Sequence, residues 1–312
     1  MVSSAVLVKN LTKKFGDKIA VDGVSFTVKQ GEIFSLLGPN EAGKTTLMSI
    51  LAGISHPTSG DVKILDKSPF DSKTRNLIGY CPQDPVVYEG MTGIENMMFY
   101  AGLHGLGGKE AKKRSLELLD FVGLSEYAKK KVKVYSGGTK KRLNFAIALV
   151  GDPQVLLLDE PTTGMDPRIR RFVWERIEQL KKQNKTIILA THYMEEADML
   201  SDRVAIMDRG KIIAEGSPEE LKKESGLKAV INVELIKPDT KVIELLKPYA
   251  YEGKVVAQEN VLRIHTDDPD KTAPKVVSEL LSHKYSLISL KISPPTLEDV
   301  FLRLTGRRLI EE

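Results

Sequence analysis

The sequence predicts an α/β fold with a mostly parallel core sheet, an antiparallel β subdomain ahead of it and a smaller α+β domain at the C-terminal end. Three observations lead there: unbroken apolar runs at 32–37, 154–160 and 185–192, helical patterns between them, and a change of period after residue 226. A parallel strand covered by helices on both faces reads as a continuous apolar run, and "EIFSLL", "QVLLLDE" and "KTIILATH" have that form. In chain order, "AVLVKNLTKKF" and "AVDGVSFTVKQGE" read as antiparallel strands punctuated by Gly and Asp. "EIFSLL" ends at Gly38, and past a glycine-bearing loop "TTLMSILAGI" spaces its apolar residues as a helix does. "RIRRFVWERIEQLKKQ" combines helix formers with an apolar stripe, and strands alternating with such helices give a parallel sheet. After "GSPEELKKESG" (216–226) the segments read β, α, β, β, α, β, the order of a split βαβ, ferredoxin-like unit. The boundary is placed near 222–227, giving domains 1–225 and 228–312. "PPTLEDVFLRLTG" closes the chain as a helix that Thr296 caps, with Asp299 at the third position of a capping box.

A chain of 312 residues, 41% hydrophobic and 28% charged, has the composition of a soluble globular protein with room for two cores. Cationic side chains exceed acidic ones by four and are interspersed, so no nucleic-acid partner is expected. The run "AKKKVKV" (128–134) reads as a solvated face. The single cysteine, Cys81, excludes an internal disulfide framework, suits a reducing compartment and lacks the His/Cys company of a metal site. No stretch approaches the roughly 18–20 apolar residues that span a bilayer, and the N-terminus has no signal-peptide apolar region. The expectation is a cytosolic chain unless something holds it to a membrane.

The chemistry gathers in three places. Gly38, Gly43, Lys44 and Thr45 satisfy G-x-x-x-x-G-K-[ST] between a strand and a helix. Glycines there let backbone N–H groups surround phosphates, Lys44 supplies a mobile charge, and Thr45 offers a hydroxyl to Mg²⁺. Glu41 sits within that loop, and its side chain is expected to point outward, because a carboxylate within 4 Å of a phosphate would cost about 4 kcal/mol at an effective dielectric of 20. The second place is Asp159 and Glu160, acids at the carboxyl end of an apolar strand, one placed to hold a metal and the next to orient water. The third is "YSGGTKKRL" (135–143), where Ser136 and two glycines open an amphipathic helix whose N-terminus can receive an anion.

In this order along 1–225 the chain resembles the nucleotide-binding subunit of ATP-binding cassette (ABC) transporters, a P-loop NTPase. Phe15 matches the aromatic that stacks on adenine. Gly38, Pro39, Asn40, Glu41, Ala42, Gly43, Lys44, Thr45 and Thr46 match the Walker A loop, and Gln83 in "GYCPQDP" matches the Q-loop. "YSGGTKKR", with Ser136, Gly137 and Gly138, matches the LSGGQ signature, and "LLLDE" the Walker B strand. Asp166 in "TTGMD" matches the D-loop, and His192 in "ATHYMEEAD" the switch histidine. Tyr135, Thr139 and Met165 depart from the family's leucine, glutamine and leucine; Thr139 is shorter than the glutamine that contacts ribose in the family. The tail is similar to that of multidrug and ABC-2 type exporter ATPases.

The resemblance implies a helical subdomain over about 84–150 and a head-to-tail pair, a homodimer or two paired ABC subunits, in which each signature closes over the other's ATP. Lys44 would hold the β and γ phosphates, Thr45 and Gln83 would ligate Mg²⁺ with Asp159 behind it, Glu160 would polarise water and His192 would steady the γ-phosphate. It also implies transmembrane permease subunits as partners, met by Gln83 and "DPVVYEGMTGIENMMFY", and a peripheral place on the inner face of the cell membrane. Drugs, lipids or other small molecules are the expected cargo class. The C-terminal domain is expected to bias dimerisation or regulate turnover. The alternative is a soluble ABC-type ATPase of translation or DNA repair; such proteins carry two cassettes or long coiled-coil insertions, and this chain shows neither.

Overall fold

Buried and half-buried strands account for the layering seen in the computed structural model, which describes residues 4–258 and 260–306. The chain runs through β1 (Ser4–Phe15), β2 (Lys18–Lys29), β3 (Ile33–Leu37), α1 (Lys44–Leu51), β4 (Ser59–Ile64), α2 (Ser72–Arg75) and β5 (Ile78–Cys81). It continues through α3 (Gly93–Leu103), α4 (Gly108–Phe121), α5 (Gly137–Ala148), β6 (Val155–Asp159), α6 (Pro167–Lys182), β7 (Thr186–Thr191), α7 (Met194–Leu200), β8 (Arg203–Asp208) and β9 (Lys211–Gly216). Then follow α8 (Pro218–Glu224), β10 (Ala229–Leu235), α9 (Thr240–Leu246), β11 (Val255–Gln258), β12 (Val261–Thr266), α10 (Pro269–Ser282), β13 (Leu287–Ser293) and α11 (Leu297–Thr305). Backbone contacts divide it into two compact units, one ending at Pro218 and the next beginning at Glu219, so that α8 belongs almost entirely to the second. The last six residues of the expected C-terminal domain lie outside the described residues.

In the first unit a six-stranded sheet of order β5-β6-β7-β3-β8-β9 is parallel except for the β8–β9 pair. Every residue of β3, β6 and β7 is buried, the physical counterpart of their unbroken apolar sequences. A separate antiparallel sheet of order β2-β1-β4 packs onto this one: Phe26 stacks on Phe34 with ring centroids 5.0 Å apart. Phe34 is fully buried, and truncating such a side chain to alanine costs about 3–5 kcal/mol. On the other side a helical layer of α3, α4 and α5 packs Met97, Leu119 and Leu143 into one buried cluster with Leu156 and Leu189 of the sheet. The register matters most for function. Leu37 pairs with Thr191 and Asp159 with Ala190, so the carboxyl ends of β3, β6 and β7 open onto one edge, where open α/β sheets bind ligands.

The second unit is an antiparallel sheet of order β11-β12-β10-β13, the strand order of the expected ferredoxin-like unit. Alternation in β10 turns Ile231, Val233 and Leu235 into one face, where they join Val242 of α9 and Val276 and Leu280 of α10. The opposite face carries Val230, Asn232, Arg263 and His265. α11 begins with the expected capping box: Thr296 accepts from the Asp299 N–H, and Asp299 accepts from the Thr296 N–H. Among the described residues no helix is long and apolar enough to cross a membrane.

Candidate active site

The loop between β3 and α1 needs its glycines for reasons that lie far away in sequence. A Cβ on Gly38 would stand 2.3 Å from the Met207 carbonyl, and one on Gly43, at φ +101°, 2.3 Å from the Ala20 carbonyl. The Gly210 N–H donates to the Ala42 carbonyl at 3.0 Å and ties the loop to the β8–β9 turn. Lys44, buried, donates to the carbonyls of Gly38 at 2.6 Å and Pro39 at 2.9 Å. Burial holds its pKa below the usual lysine value against the upward pull of Glu160 and Asp159. Gly43 gives α1 no side-chain cap, so the first-turn N–H groups are left for another acceptor. Asn40, Glu41, Ala42, Thr45, Thr46 and Gln83 border a cavity of about 340 Å³ there, together with Lys44 and Glu160. Glu41 sits at φ +66° with an exposed carboxylate paired to Lys18 at 3.2 Å, an outward orientation.

The two neighbouring acids behave in opposite ways. Asp159 is fully buried and neither of its oxygens has a partner in good hydrogen-bond geometry. Burial pushes its pKa up to about 6, the nearby Thr45 hydroxyl being the main opposing influence. Glu160 follows at φ +48°, its N–H donating to the Ala190 carbonyl at 2.8 Å; a left-handed turn at the end of a strand is the kind of local strain that reactive sites retain. One oxygen lies 2.9 Å from His192 Nδ1 and 3.8 Å from Lys44 Nζ; the other accepts from Thr163 at 3.0 Å and from Gln83 at 3.5 Å. Burial raises the Glu160 pKa, but His192, Lys44 and Thr163 outweigh it and leave the group below the ordinary glutamate value. An orphaned carboxylate beside a threonine hydroxyl is an all-oxygen donor set, which fits a hard divalent cation such as Mg²⁺.

Structure thus gathers Lys44, Thr45, Gln83, Asp159, Glu160 and His192. It leaves Ser136, Gly137, Gly138 and Asp166 outside the cavity, with Ser136, Gly137 and Asp166 exposed. Ser136 caps α5 through the Thr139 N–H at 3.3 Å, and Asp166 caps α6 through the N–H groups of Arg168 and Ile169. Phe15 also lies outside that lining, 55% exposed, with Lys13 Nζ 4.9 Å from its ring centre. The departures from the family pattern are absorbed locally. The Tyr135 hydroxyl donates to the Tyr127 carbonyl, Thr139 and Ser136 share a 2.8 Å hydroxyl contact, and Met165 stands over Gly138.

Some residues of the site were missed in the sequence. Asn144 of α5 donates to the Pro82 carbonyl at 2.9 Å and accepts from the Val86 N–H at 3.2 Å, bracketing Gln83. Its signal was an amide in the middle of a buried helical run. Glu196 is buried, accepts from Thr162 at 2.7 Å and Trp174 at 2.9 Å, and has its pKa raised by burial. It lies four residues beyond His192, in the first turn of α7.

These features have counterparts in known proteins. The family model for ABC transporters matches residues 21–163, and that for the C-terminal domain of DrrA1-3-like ATP-binding proteins matches 216–305. The linearmycin resistance ATP-binding protein LnrL of Bacillus subtilis is 37% identical over 96% of this chain and 98% of its own. The Nod factor export ATP-binding protein I of Rhizobium sp. is 39% identical over 99% of both. Among solved structures, the cassette MJ0796, dimeric and bound to ADP and Pi after hydrolysis, superposes with a TM-score of 0.64 at 28% identity, covering 68% of this chain and 98% of that one. cbiO1 of Clostridium perfringens, part of the ABC transporter complex cbiONQ, gives 0.64 at 32% identity, covering 71% and 91%. The expectation of an ABC cassette is met, and full-length similarity to transporter subunits sets aside the soluble alternative. Matched along almost the whole length of relatives 37% and 39% identical to it, the chain belongs to the ATP-binding, ATP-hydrolysing subunits of ABC transporters, which work with transmembrane permease components.

Proposed function

We propose that this chain powers a membrane exporter for small molecules by binding and hydrolysing Mg-ATP between two head-to-tail cassettes. It sits on the cytoplasmic face of the membrane against a permease that Gln83 and residues 84–100 contact. Two relatives matched along almost their whole length carry resistance and export in their names, which supports export. The observation that carries the chemistry is the convergence of Lys44, Gln83 and His192 on Glu160, with the unpartnered Asp159 behind.

The free N–H groups opening α1 and the Lys44 ammonium bind the β and γ phosphates, Lys44 exchanging the Gly38 and Pro39 carbonyls for phosphate oxygens. Thr45, Gln83 and Asp159 are the residues that would hold Mg²⁺, whose chemistry when bound is to neutralise phosphate charge. Glu160, kept ionised by its partners, orients the attacking water and takes its proton. His192 holds the Glu160 carboxylate in place and faces the γ-phosphate. Phe15 stacks on adenine. Ser136 and Gly137, exposed, and the half-buried Gly138, all outside their own chain's cavity, complete the site of a second cassette with Asp166 at the shared face. Residues 1–225 form the cassette, 84–150 its helical subdomain, and 228–312 an accessory domain that tunes dimerisation or turnover. Inside-out membrane vesicles carrying the chain with its co-purifying permease test this: Mg-ATP should drive cargo uptake that the Glu160→Gln chain cannot support. Equal uptake with both chains, or a protein that co-purifies with ribosomes or DNA instead, overturns the reading.

A further inference from the structure

The second unit holds a cavity of about 560 Å³ that the nucleotide chemistry does not use. It opens on the sheet face turned away from α9 and α10, where Val230, Asn232, Arg263 and His265 stand on neighbouring strands. Lys254, whose carbonyl accepts from the His265 N–H at 3.3 Å, borders it from the start of β11, and Arg303 borders it from α11. The lining brings four cations, Lys228, Lys254, Arg263 and Arg303, against two carboxylates, Glu252 and Asp299. One of those carboxylates is already committed: Asp299 accepts from the Thr296 N–H at 2.9 Å and its hydroxyl at 2.7 Å. Lys228 pairs with Asp267, outside the lining, and stands 4.2 Å from the Tyr251 ring. Among the described residues Lys254, Arg263 and Arg303 make no ion pair. The Arg303 guanidinium lies against Gly226, where a Cβ would meet it at 3.6 Å.

Lys254 lies opposite His265, two residues along β12 from Arg263 on the same face, and cations gathered on one face repel until an anion joins them. His265 reports the same field: burial first, then Lys254 and Arg263, hold its pKa below the usual histidine value. A guanidinium presents two parallel N–H donors that match phosphate oxygens, and the volume lies in the range of small-ligand pockets. Beside the cations, Tyr251, Leu227 and Pro294 supply an apolar wall for an organic body.

We propose that this cavity binds a phosphate ester, with Arg263, Arg303 and Lys254 on the phosphate and Tyr251 against the group it esterifies. A soluble phosphate ester and the headgroup of an anionic phospholipid share this chemistry.

The test uses the full chain at physiological salt, with saturating Mg-ADP occupying the phosphate loop. Glycerol phosphate is titrated calorimetrically, and vesicles of phosphatidylglycerol or phosphatidylcholine are assayed by co-sedimentation. Wild type should bind glycerol phosphate, or phosphatidylglycerol but not phosphatidylcholine vesicles, at least tenfold more tightly than Arg263→Gln/Arg303→Gln. Retention by glycerol phosphate assigns a soluble ligand, and retention by phosphatidylglycerol alone assigns a membrane headgroup. Both substituted side chains are exposed, so folding should survive, and circular dichroism checks it. In parallel, NMR titration of the His265 imidazole should show its pKa rising when the probe is bound, as the anion offsets Lys254 and Arg263. Equal binding by wild type and variant, or an unmoved His265 titration at saturation, overturns the proposal.

Discussion

The two units treat charge in opposite ways. The first buries Glu32, Lys44, Asp159, Glu160 and Glu196, whereas among the described residues of the second the only buried polar side chain is that of Thr266. Burying a charge costs several kcal/mol unless it is paired, and even pairing rarely returns the whole cost. Lys44, Asp159 and Glu160 of this set stand together at the carboxyl ends of β3 and β6, where the proposed function uses their altered proton and ligand affinities, whereas Glu32 is paired with Arg203 at the amino end of β3. The second unit leaves its cations at the surface, where they are still hydrated and can trade water for a ligand at little cost.

The strongest way to break this contrast is Glu160→Gln. The amide keeps the shape and the His192 contact but has no proton affinity, so hydrolysis should fall about 10²–10⁴-fold. Mg-ATP affinity should stay within about threefold, and gel filtration with ATP should show an accumulated dimer. Steady-state hydrolysis like that of the wild type would remove Glu160 from its role.

Asp159→Asn sharpens the contrast from the stability side. A carboxyl whose folded pKa is about 6, against 3.8 unfolded, binds its proton more tightly in the native state. Its contribution is therefore fully present below pH 3.8 and is lost as pH rises through about 6. Removing the charge should stabilise the nucleotide-free protein above pH 6 by up to about 3 kcal/mol relative to its effect at pH 4. Mg²⁺ should no longer raise the melting temperature of the variant. A variant equally destabilised at both pH values would mean that Asp159 is not held in the desolvated state its surroundings impose.

Much of this contrast is legible in the sequence, and the part that is not has a common cause. The glycine loop, the acid pair at the end of "LLLDE" and the Thr296 capping box are local patterns, fixed by residues a few positions apart. The order β11-β12-β10-β13 also followed from the element sequence, because few topologies suit that succession. What stayed hidden depends on contacts between distant segments. Met207 forms the wall that bars a side chain at Gly38, and Asn144 brackets Gln83 from another helix. β4 joins β1 across the 43 residues between Phe15 and Ser59, and "SGDVKI" alone, with two buried positions, gives little sign of it. The phosphate-ester cavity is illegible for the same reason: Lys254, Arg263 and Arg303 meet only through the sheet and α11.

Separating the units should have a moderate effect. Their buried clusters share no residue, so truncation after residue 226 should leave the cassette folded, with Mg-ATP affinity within about threefold. Turnover should change about fivefold if the accessory domain is coupled to the dimer, the lower end of ordinary coupling between sites. A soluble, folded truncation that no longer binds nucleotide would show that the cassette needs the second unit to form its site.

The smallest effect is expected at Glu41, the one carboxylate of the nucleotide loop that stays outside, as the charges of the second unit do. Its side chain is 79% exposed and its partner, Lys18, 68%, and a pair this open contributes about 0–1 kcal/mol. Glycine would relieve about 1 kcal/mol of left-handed backbone strain at φ +66°, while the freer unfolded chain takes back a similar amount. Glu41→Gly should therefore change Mg-ATP affinity by less than about threefold, and screening should make that change nearly the same at low and high salt. Had the carboxylate faced the phosphates at 4 Å, its removal would be worth about 4 kcal/mol, close to a thousandfold. A gain of tenfold or more that shrinks as salt rises would place Glu41 inside the phosphate field, and the loop would then carry a built-in brake on nucleotide binding.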